Sequence, residues 1–184
     1  MQMATETEAK LKVESHDEIM ARLREAGASF AGEQLHTDIY FDDGGRSLMK
    51  SDKCLRLRIS SGAGKEKFCL TYKGPKQSAD YKKRDELETE VEDADVVEEL
   101  LIALGYEKTL AFEKRRRLWH LGDCEVALDE VPALGSFVEI EGRDSAVIAD
   151  VQRKLGLAHQ PHIYQSYAAL IAEKSYPGRS GVKL

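Results

Sequence analysis

The stretch ATETEAKLKVE, residues 4–14, alternates with a period of two: Glu6, Glu8, Lys10 and Lys12 fall on one side of an extended chain, Ala9, Leu11 and Val13 on the other. That period marks a strand with one apolar and one polar face. Working outward, the pattern recurs. Arg56 and Arg58 oppose Leu55, Leu57 and Ile59 in 53–60, and Lys67 and Lys73 oppose Phe68, Leu70 and Tyr72 in 66–73. Glu86, Glu88 and Glu90 oppose Leu87 and Val91 in 84–92. Segment 110–120 is charged on both sides, Lys114 and Arg116 alternating with Arg115 and Arg117. Asp129 opposes Leu128 in 123–130, and Glu139 and Glu141 oppose Val138 and Ile140 in 136–142. Segment 36–43 completes a set of eight expected strands.

Helical spacing covers 15–27, 94–104, 144–156 and 163–174, the first three ending at Gly27, Gly105 and Gly156. Glycine enters the left-handed region that ends a helix without steric cost. A strand, a helix and three strands occur twice, beginning at residues 4 and 84, which predicts a structural pseudo-repeat. The segments 44–45, 61–64 and 121–123 read as turns, and the polar stretch 74–83 as a loop between halves. Eight short strands with tight turns suit an α+β chain built on a closed eight-stranded antiparallel β-barrel, because closure removes exposed sheet edges. Helices would pack outside it. Residues 1–175 read as one domain and 176–184 as a disordered tail.

Of the 184 residues, 42% are hydrophobic and 33% charged, and the net charge is −6. The acidic balance speaks against a broad nucleic-acid-binding face. No apolar run has the length of a membrane span, and the N-terminal residues have no signal-peptide core. Cys54, Cys69 and Cys124 lack zinc-ligand spacing and read as reduced thiols of a cytoplasmic protein.

The charges are sorted rather than mixed. Glu6/Glu8, Glu86/Glu88 and Glu139/Glu141 are acidic pairs; Arg56/Arg58 and Lys114/Arg116 are basic pairs. Like charges on one strand face repel unless each set meets a ligand of opposite sign. Carboxylates suit hard cations such as Mg²⁺ or Mn²⁺, and guanidinium and ammonium groups suit phosphate oxygens. Together they point to a metal-bound polyphosphate held by side chains, since Gly62 and Gly64 are followed by no GK[ST] phosphate loop. A plain sheet with its charged face in water is the rival reading.

At this point the residues resemble a known family. Glu6-Thr7-Glu8-Ala9-Lys10 resembles the ExExK signature of the CYTH superfamily, the triphosphate tunnel metalloenzymes. The likeness continues in order through Asp38–Asp42, Leu55–Arg58, Leu70–Pro75, Arg84–Glu88, Glu113–Arg116, Leu128–Val131, Leu134–Glu141 and Ser166-Tyr167. LTYKGP and LGSFVEIE look most like the branch of class IV adenylyl cyclases; the His-Phe pair that some of these carry ahead of ExExK does not precede Glu6 here. The resemblance implies an eight-stranded tunnel, with Glu8, Asp129 and Glu139 as ligands of Mg²⁺ or Mn²⁺ and Glu6 and Glu141 assisting. It implies Lys10, Arg56, Arg58, Lys73, Lys114 and Arg116 as triphosphate contacts, with Glu86, Glu88 and Arg84 in assisting places.

The expected substrate is a small triphosphate. A cyclase would convert ATP to cyclic AMP and pyrophosphate; an inorganic or thiamine triphosphatase would release the terminal phosphate. Lys10 or a carboxylate such as Glu6 could serve as general base. A nucleotide- or polyphosphate-binding module without turnover is the non-enzymatic alternative, and a homodimer is compatible with the sequence. Tyr40, Phe41, His36 and Tyr72 could meet a base but read first as packing, as does Trp119; His159 and His162 read as loop residues.

Overall fold

The computed structural model describes residues 4–77 and 81–175, with side chains from Thr7 onward. The Glu6 side chain, residues 78–80 of the expected loop and the tail 176–184 lie outside the described residues. Eight strands appear in chain order: β1 (Ala4–Val13), β2 (Ser29–Asp43), β3 (Cys54–Gly62), β4 (Lys65–Lys73), β5 (Lys82–Val91), β6 (Tyr106–Leu121), β7 (Cys124–Val131) and β8 (Gly135–Gly142). The helices are α1 (Asp17–Glu25), α2 (Ser47–Lys50), α3 (Ala94–Ala103), α4 (Ser145–Lys154) and α5 (Tyr167–Ser175). All strand pairs are antiparallel, and the sheet closes on itself in the order β1-β5-β4-β3-β2-β6-β7-β8.

The expected repeat is visible in that order. Exchanging β1–β4 with β5–β8 returns the same ring read in the opposite direction, as a pseudo-twofold requires. Each half contributes a three-stranded meander, and β1 and β5 lie side by side between the two meanders.

The strict alternation decides which face of the sheet points in. The apolar residues of β1, β7 and β8 that point outward meet Ile19 and Leu23 of α1, Ile148 and Val151 of α4 and Leu155 just after it in one core, with Trp119. Leu57 and Phe41 meet Ala94 and Leu101 of α3 in a second. Leu11, Leu23, Leu57, Val138, Ile140 and Ile148 have no exposed surface, and burial of each such side chain contributes about 1.5–3 kcal/mol. The third apolar cluster has a different place. Phe112, Phe137 and Val131 share the inward parity of Lys114, Glu139 and Asp129, and they pack against Tyr167 and Ile171 of α5. Helix α5 therefore closes the barrel end where β7 finishes and β8 begins, while the interior stays polar toward the other end.

The sequence reading places all eight strands but starts two of them late. β2 begins at Ser29 rather than 36 and β6 at Tyr106 rather than 110, because register shifts at Phe30/Gly32 and Tyr40/Phe41 break the period. The short α2 was not expected; the Asp42 carboxylate seeds it by accepting from the backbone N–H groups of Leu48 and Met49 at 3.0 and 2.9 Å. The last helix starts at Tyr167 rather than 163; Ile163 lies in the extended segment before it, its N–H donating to the Lys10 carbonyl at 2.8 Å.

The β3–β4 hairpin turns through Ala63 and Gly64 with φ of 49° and 73°. Two positive φ values in a two-residue loop match the twist of the flanking strands, but alanine is strained there. Ala63→Gly should stabilise the protein by roughly 0.5–1 kcal/mol, a gain of about 1–4 °C in thermal midpoint. An unchanged or lower midpoint would contradict this account of the turn.

Candidate functional site: a charged barrel interior

Most inward-facing strand positions of the middle barrel carry a polar or charged group, Leu118 and Ala127 being apolar, and register dictates who meets whom. Lys10 of β1 stands opposite Glu139 of β8, Arg116 of β6 opposite Asp129 of β7, and Asp38 of β2 opposite Arg58 of β3. The Lys10 ammonium lies 3.2 Å from Glu139 and 4.0 Å from Glu8, and it donates to the Gln165 carbonyl at 3.0 Å. Glu8 also accepts from Lys82 at 2.5 Å. Arg116 forks onto Asp129 at 2.7 and 2.6 Å and reaches Glu139 as well. Lys114 donates to Asp129 at 2.9 Å.

Across the interior, Arg58 forks onto Asp38 at 2.6 and 2.9 Å. Arg56 donates to Thr71 at 3.1 Å and lies 3.8 Å from Glu88. Lys73 pairs with Glu86. Arg84 turns to Asp52, in the connection between α2 and β3, at 2.6 Å.

These contacts set the protonation states. Burial alone would raise the Glu139 carboxyl, but Lys10, Lys114 and Arg116 hold it well below the usual range. Asp129 and Asp38 are lowered in the same way, against burial, by Arg116 with Lys114 and by Arg58 with Arg56. Lys114 is pushed down to about 8 by burial and by Arg116, with Asp129 opposing. Burial, then Arg58, Arg116 and Lys114, push His36 down to about 3, so its imidazole is neutral at physiological pH. Its buried Nδ1 has no hydrogen-bond partner.

A pH dependence follows. Carboxylates with depressed folded-state values add stability that is complete above their unfolded values, near 4, and is lost as pH falls toward the folded ones. Thermal midpoints should therefore begin to fall below about pH 6.5, where His36 takes up a proton only when unfolded, and drop steeply below about 4. A flat profile through pH 3 would show that the interior pairs contribute nothing.

The structure brings most of the expected residues together, in two facing clusters. Lys10, Glu8, Glu139, Lys114, Arg116 and Asp129 form one; Arg56, Arg58 and Glu88 belong to the other. Toward the barrel mouth Glu8, Glu139 and Glu141 line an open cleft with Arg116, Glu125, Leu118 and Ala127. Asp129 shares Arg116 with Glu139 but has no exposed surface, and three donors surround it, including the Tyr167 hydroxyl at 2.9 Å. Lys73 and Glu86 pair with each other, and Arg84 with Asp52, outside both clusters. Among the described residues no three His, Cys, Asp or Glu side chains already form a cluster able to hold an ion.

Of the aromatic candidates, His36 and Tyr40 face inward, Tyr40 stacked on Phe112 at 5.8 Å. Phe41 and Trp119 are core, and His162 is a loop residue bonded to Gln152 at 2.9 Å.

Several interior residues were not singled out from sequence. Asp38 shares parity only with His36 and Tyr40, which read first as packing; Lys82 had a usable signal, since it shares parity with Arg84 and Glu86. Glu125 shares parity with Asp129 in the same way. Tyr167 and Asp52 had none, because they reach the site from α5 and from an irregular connection.

A family model described as CYTH domain matches residues 4–166. A Methanocaldococcus jannaschii protein named as a candidate adenylate cyclase is 31% identical over 149 residues, covering 81% of each chain. A Pyrococcus horikoshii protein of solved structure is 34% identical, with TM-score 0.78 over 91% of this chain and 99% of that one. A Hippeastrum protein, described as a candidate adenylyl cyclase with a dominant triphosphatase activity, is 17% identical. It covers 91% of this chain and 95% of its own with TM-score 0.67, and at that identity it shares the fold alone. No helix among the described residues is long and apolar enough to cross a membrane.

Proposed function

The chain belongs to the CYTH family, and on that premise we propose that it is a metal-dependent enzyme acting on a triphosphate inside its barrel, most directly on ATP as an adenylyl cyclase. The observation that carries the reading is the sorted interior. Six cations (Lys10, Arg56, Arg58, Lys73, Lys114 and Arg116) share the inward side of the barrel wall with the carboxylates Glu8 and Glu139, and a small cleft lined by Glu8, Glu139, Glu141 and Arg116 opens beside them.

The donor set fits Mg²⁺ or Mn²⁺: Glu8, Glu139 and Glu141 are oxygen donors on adjacent strands, with Glu8 in register with Glu141. Glu6, in register with Arg84, is the natural assisting carboxylate. Asp129 is better suited to holding Lys114 and Arg116 than to leaving them for an ion. A divalent cation bound at these carboxylates would supply Lewis acidity and neutralise phosphate oxygens.

The chain's own residues do the rest. Arg56 and Arg58 from one wall and Lys114 and Arg116 from the other bind phosphate oxygens and offset the charge that develops as the bond to the leaving group breaks. In cyclisation the ribose 3′-oxygen bonds to the α-phosphorus, the bond to the bridging α–β oxygen breaks, and pyrophosphate leaves. The hydroxyl proton needs an acceptor. Lys10 can take that part only as the neutral amine, a form that burial favours and Lys82 favours further, with Glu139 and Glu8 opposing. Hydrolysis at the terminal phosphorus would use the same cage, and the activity of the Hippeastrum protein is the reason to include it in the assay.

The test is incubation with ATP, tripolyphosphate and thiamine triphosphate, each with Mg²⁺ or Mn²⁺. Cyclic AMP plus pyrophosphate from ATP is the expected result; phosphate release without cyclic AMP would move the assignment to hydrolysis. Turnover of none of the three would overturn the enzymatic reading. Arg56→Ala should weaken tripolyphosphate binding by roughly 10- to 100-fold and flatten its salt dependence, because one charge-assisted contact is gone. Unchanged affinity would remove Arg56 from the cage.

A further inference from the structure

We propose that Tyr167 is a positioning residue of the charged cage, holding Lys10, Lys114 and Asp129 in place from the helix that closes the barrel. This rests on the reading above, in which the two lysines meet phosphate oxygens. Tyr167 is the first residue of α5 and is 5% exposed. Its hydroxyl donates to Asp129 at 2.9 Å, and the same carboxylate is the anchor of Lys114 and Arg116. The Lys10 ammonium sits 4.2 Å from the centre of its ring and the Lys114 ammonium 4.9 Å. The edge-on contact with Phe137, at 5.1 Å between centroids, fixes the ring plane.

These contacts solve one electrostatic problem. Two ammonium groups and a guanidinium crowd a space that water barely reaches, and beyond the carboxylates of Glu139 and Asp129 they gain from any further negative potential among them. The face of a phenol ring supplies it to both lysines, and the hydroxyl secures the one carboxylate fully enclosed with them. The chain around Tyr167 tightens the hold on Lys10. The Ile163 N–H donates to the Lys10 carbonyl at 2.8 Å, and the Lys10 ammonium donates to the Gln165 carbonyl at 3.0 Å. Lys10 is thus gripped three times by residues 163–167, at backbone, ammonium and ring. The geometry of the phosphate contacts then depends on how α5 is seated, through Ile171 and Tyr167 against Phe137 and Val131.

Two substitutions separate the ring from the hydroxyl. Tyr167→Phe keeps the ring and loses one hydrogen bond; Tyr167→Leu loses both. The first readout is the NMR signals of the lysine Hε protons, assigned with Lys10→Arg and Lys114→Arg. Ring-current shifts should displace both lysines upfield in the wild type and in Tyr167→Phe, and should vanish in Tyr167→Leu. The second is calorimetric affinity for tripolyphosphate, expected to fall by roughly 10- to 100-fold in Tyr167→Leu and by less than about fivefold in Tyr167→Phe, at comparable folded fractions.

Lysine signals at ordinary positions in the wild type would overturn the proposal even if the leucine variant fails to fold. So would wild-type affinity in a folded Tyr167→Leu, or a phenylalanine variant as impaired as the leucine one. If the wild type binds no tripolyphosphate, the functional reading fails by itself, and the lysine signals still decide whether Tyr167 positions them.

Discussion

Glu139→Gln is expected to lower metal-dependent turnover by about three orders of magnitude while the barrel stays folded, equivalent to roughly 4 kcal/mol of transition-state stabilisation. Glutamine keeps the shape and one oxygen, so packing in β8 is undisturbed. It removes the charge at the place where three basic groups, Lys10, Lys114 and Arg116, converge on the carboxyl. Without that charge the proposed ion loses an oxygen ligand, and the Lys10 ammonium loses its 3.2 Å partner. The check is turnover of ATP and tripolyphosphate against added Mn²⁺, with circular dichroism to confirm the fold. Wild-type-like turnover would remove Glu139 from the metal site, and with it the reason to assign Glu8.

Asp129→Asn should act on stability rather than on chemistry first. Asp129 has no exposed surface, and Lys114, Arg116 and the Tyr167 hydroxyl all donate to it. Asparagine leaves buried Lys114 without a carboxylate, and breaking a buried pair from one side costs about 3–5 kcal/mol. For a chain of this size that is a drop of roughly 10 °C in thermal midpoint. The companion Asp129→Asn/Lys114→Met should recover part of the loss, since removing both charges avoids the stranded ammonium. A single variant as stable as the wild type, or a double variant worse than the sum of its parts, would show that the pair does not hold the barrel interior together.

Period two made the barrel legible. Leu11, Leu57 and Ile140 on one face and Glu8, Arg56 and Glu139 on the other are enough to say which side of each strand is apolar, and eight such strands have few ways to avoid open edges. What alternation cannot supply is register, and register decides partners. That Lys10 meets Glu139, and that Asp38 is the anchor of Arg58, depend on strand offsets, and the β2–β6 pairing is shifted further by one bulge in each strand. The bulges also explain why β2 and β6 were read too short. The site's third dimension was hidden for another reason. Tyr167, Gln165 and Asp52 enter from a helix, an extended segment and a loop, where no periodic pattern ties a residue to a barrel face. Their contacts come from tertiary packing alone.

The pairing of so many interior cations with carboxylates also sharpens what binding must accomplish. An ion at Glu8 and Glu139 would replace a protein cation with a ligand of the same sign. Phosphate oxygens would take the place of Glu139 at Arg116 while Asp129 keeps Lys114, so the interior stays balanced. That exchange is the core of the functional account. It is tested most directly by the crystal structure of the protein grown with tripolyphosphate and Mn²⁺, using the anomalous signal of the metal. The account predicts a manganese peak inside the barrel within bonding distance of Glu8 and Glu139, with phosphate oxygens against Arg56, Arg58, Lys114 and Arg116. Metal and tripolyphosphate bound only on the outer surface, with the interior ion pairs unchanged, would contradict it.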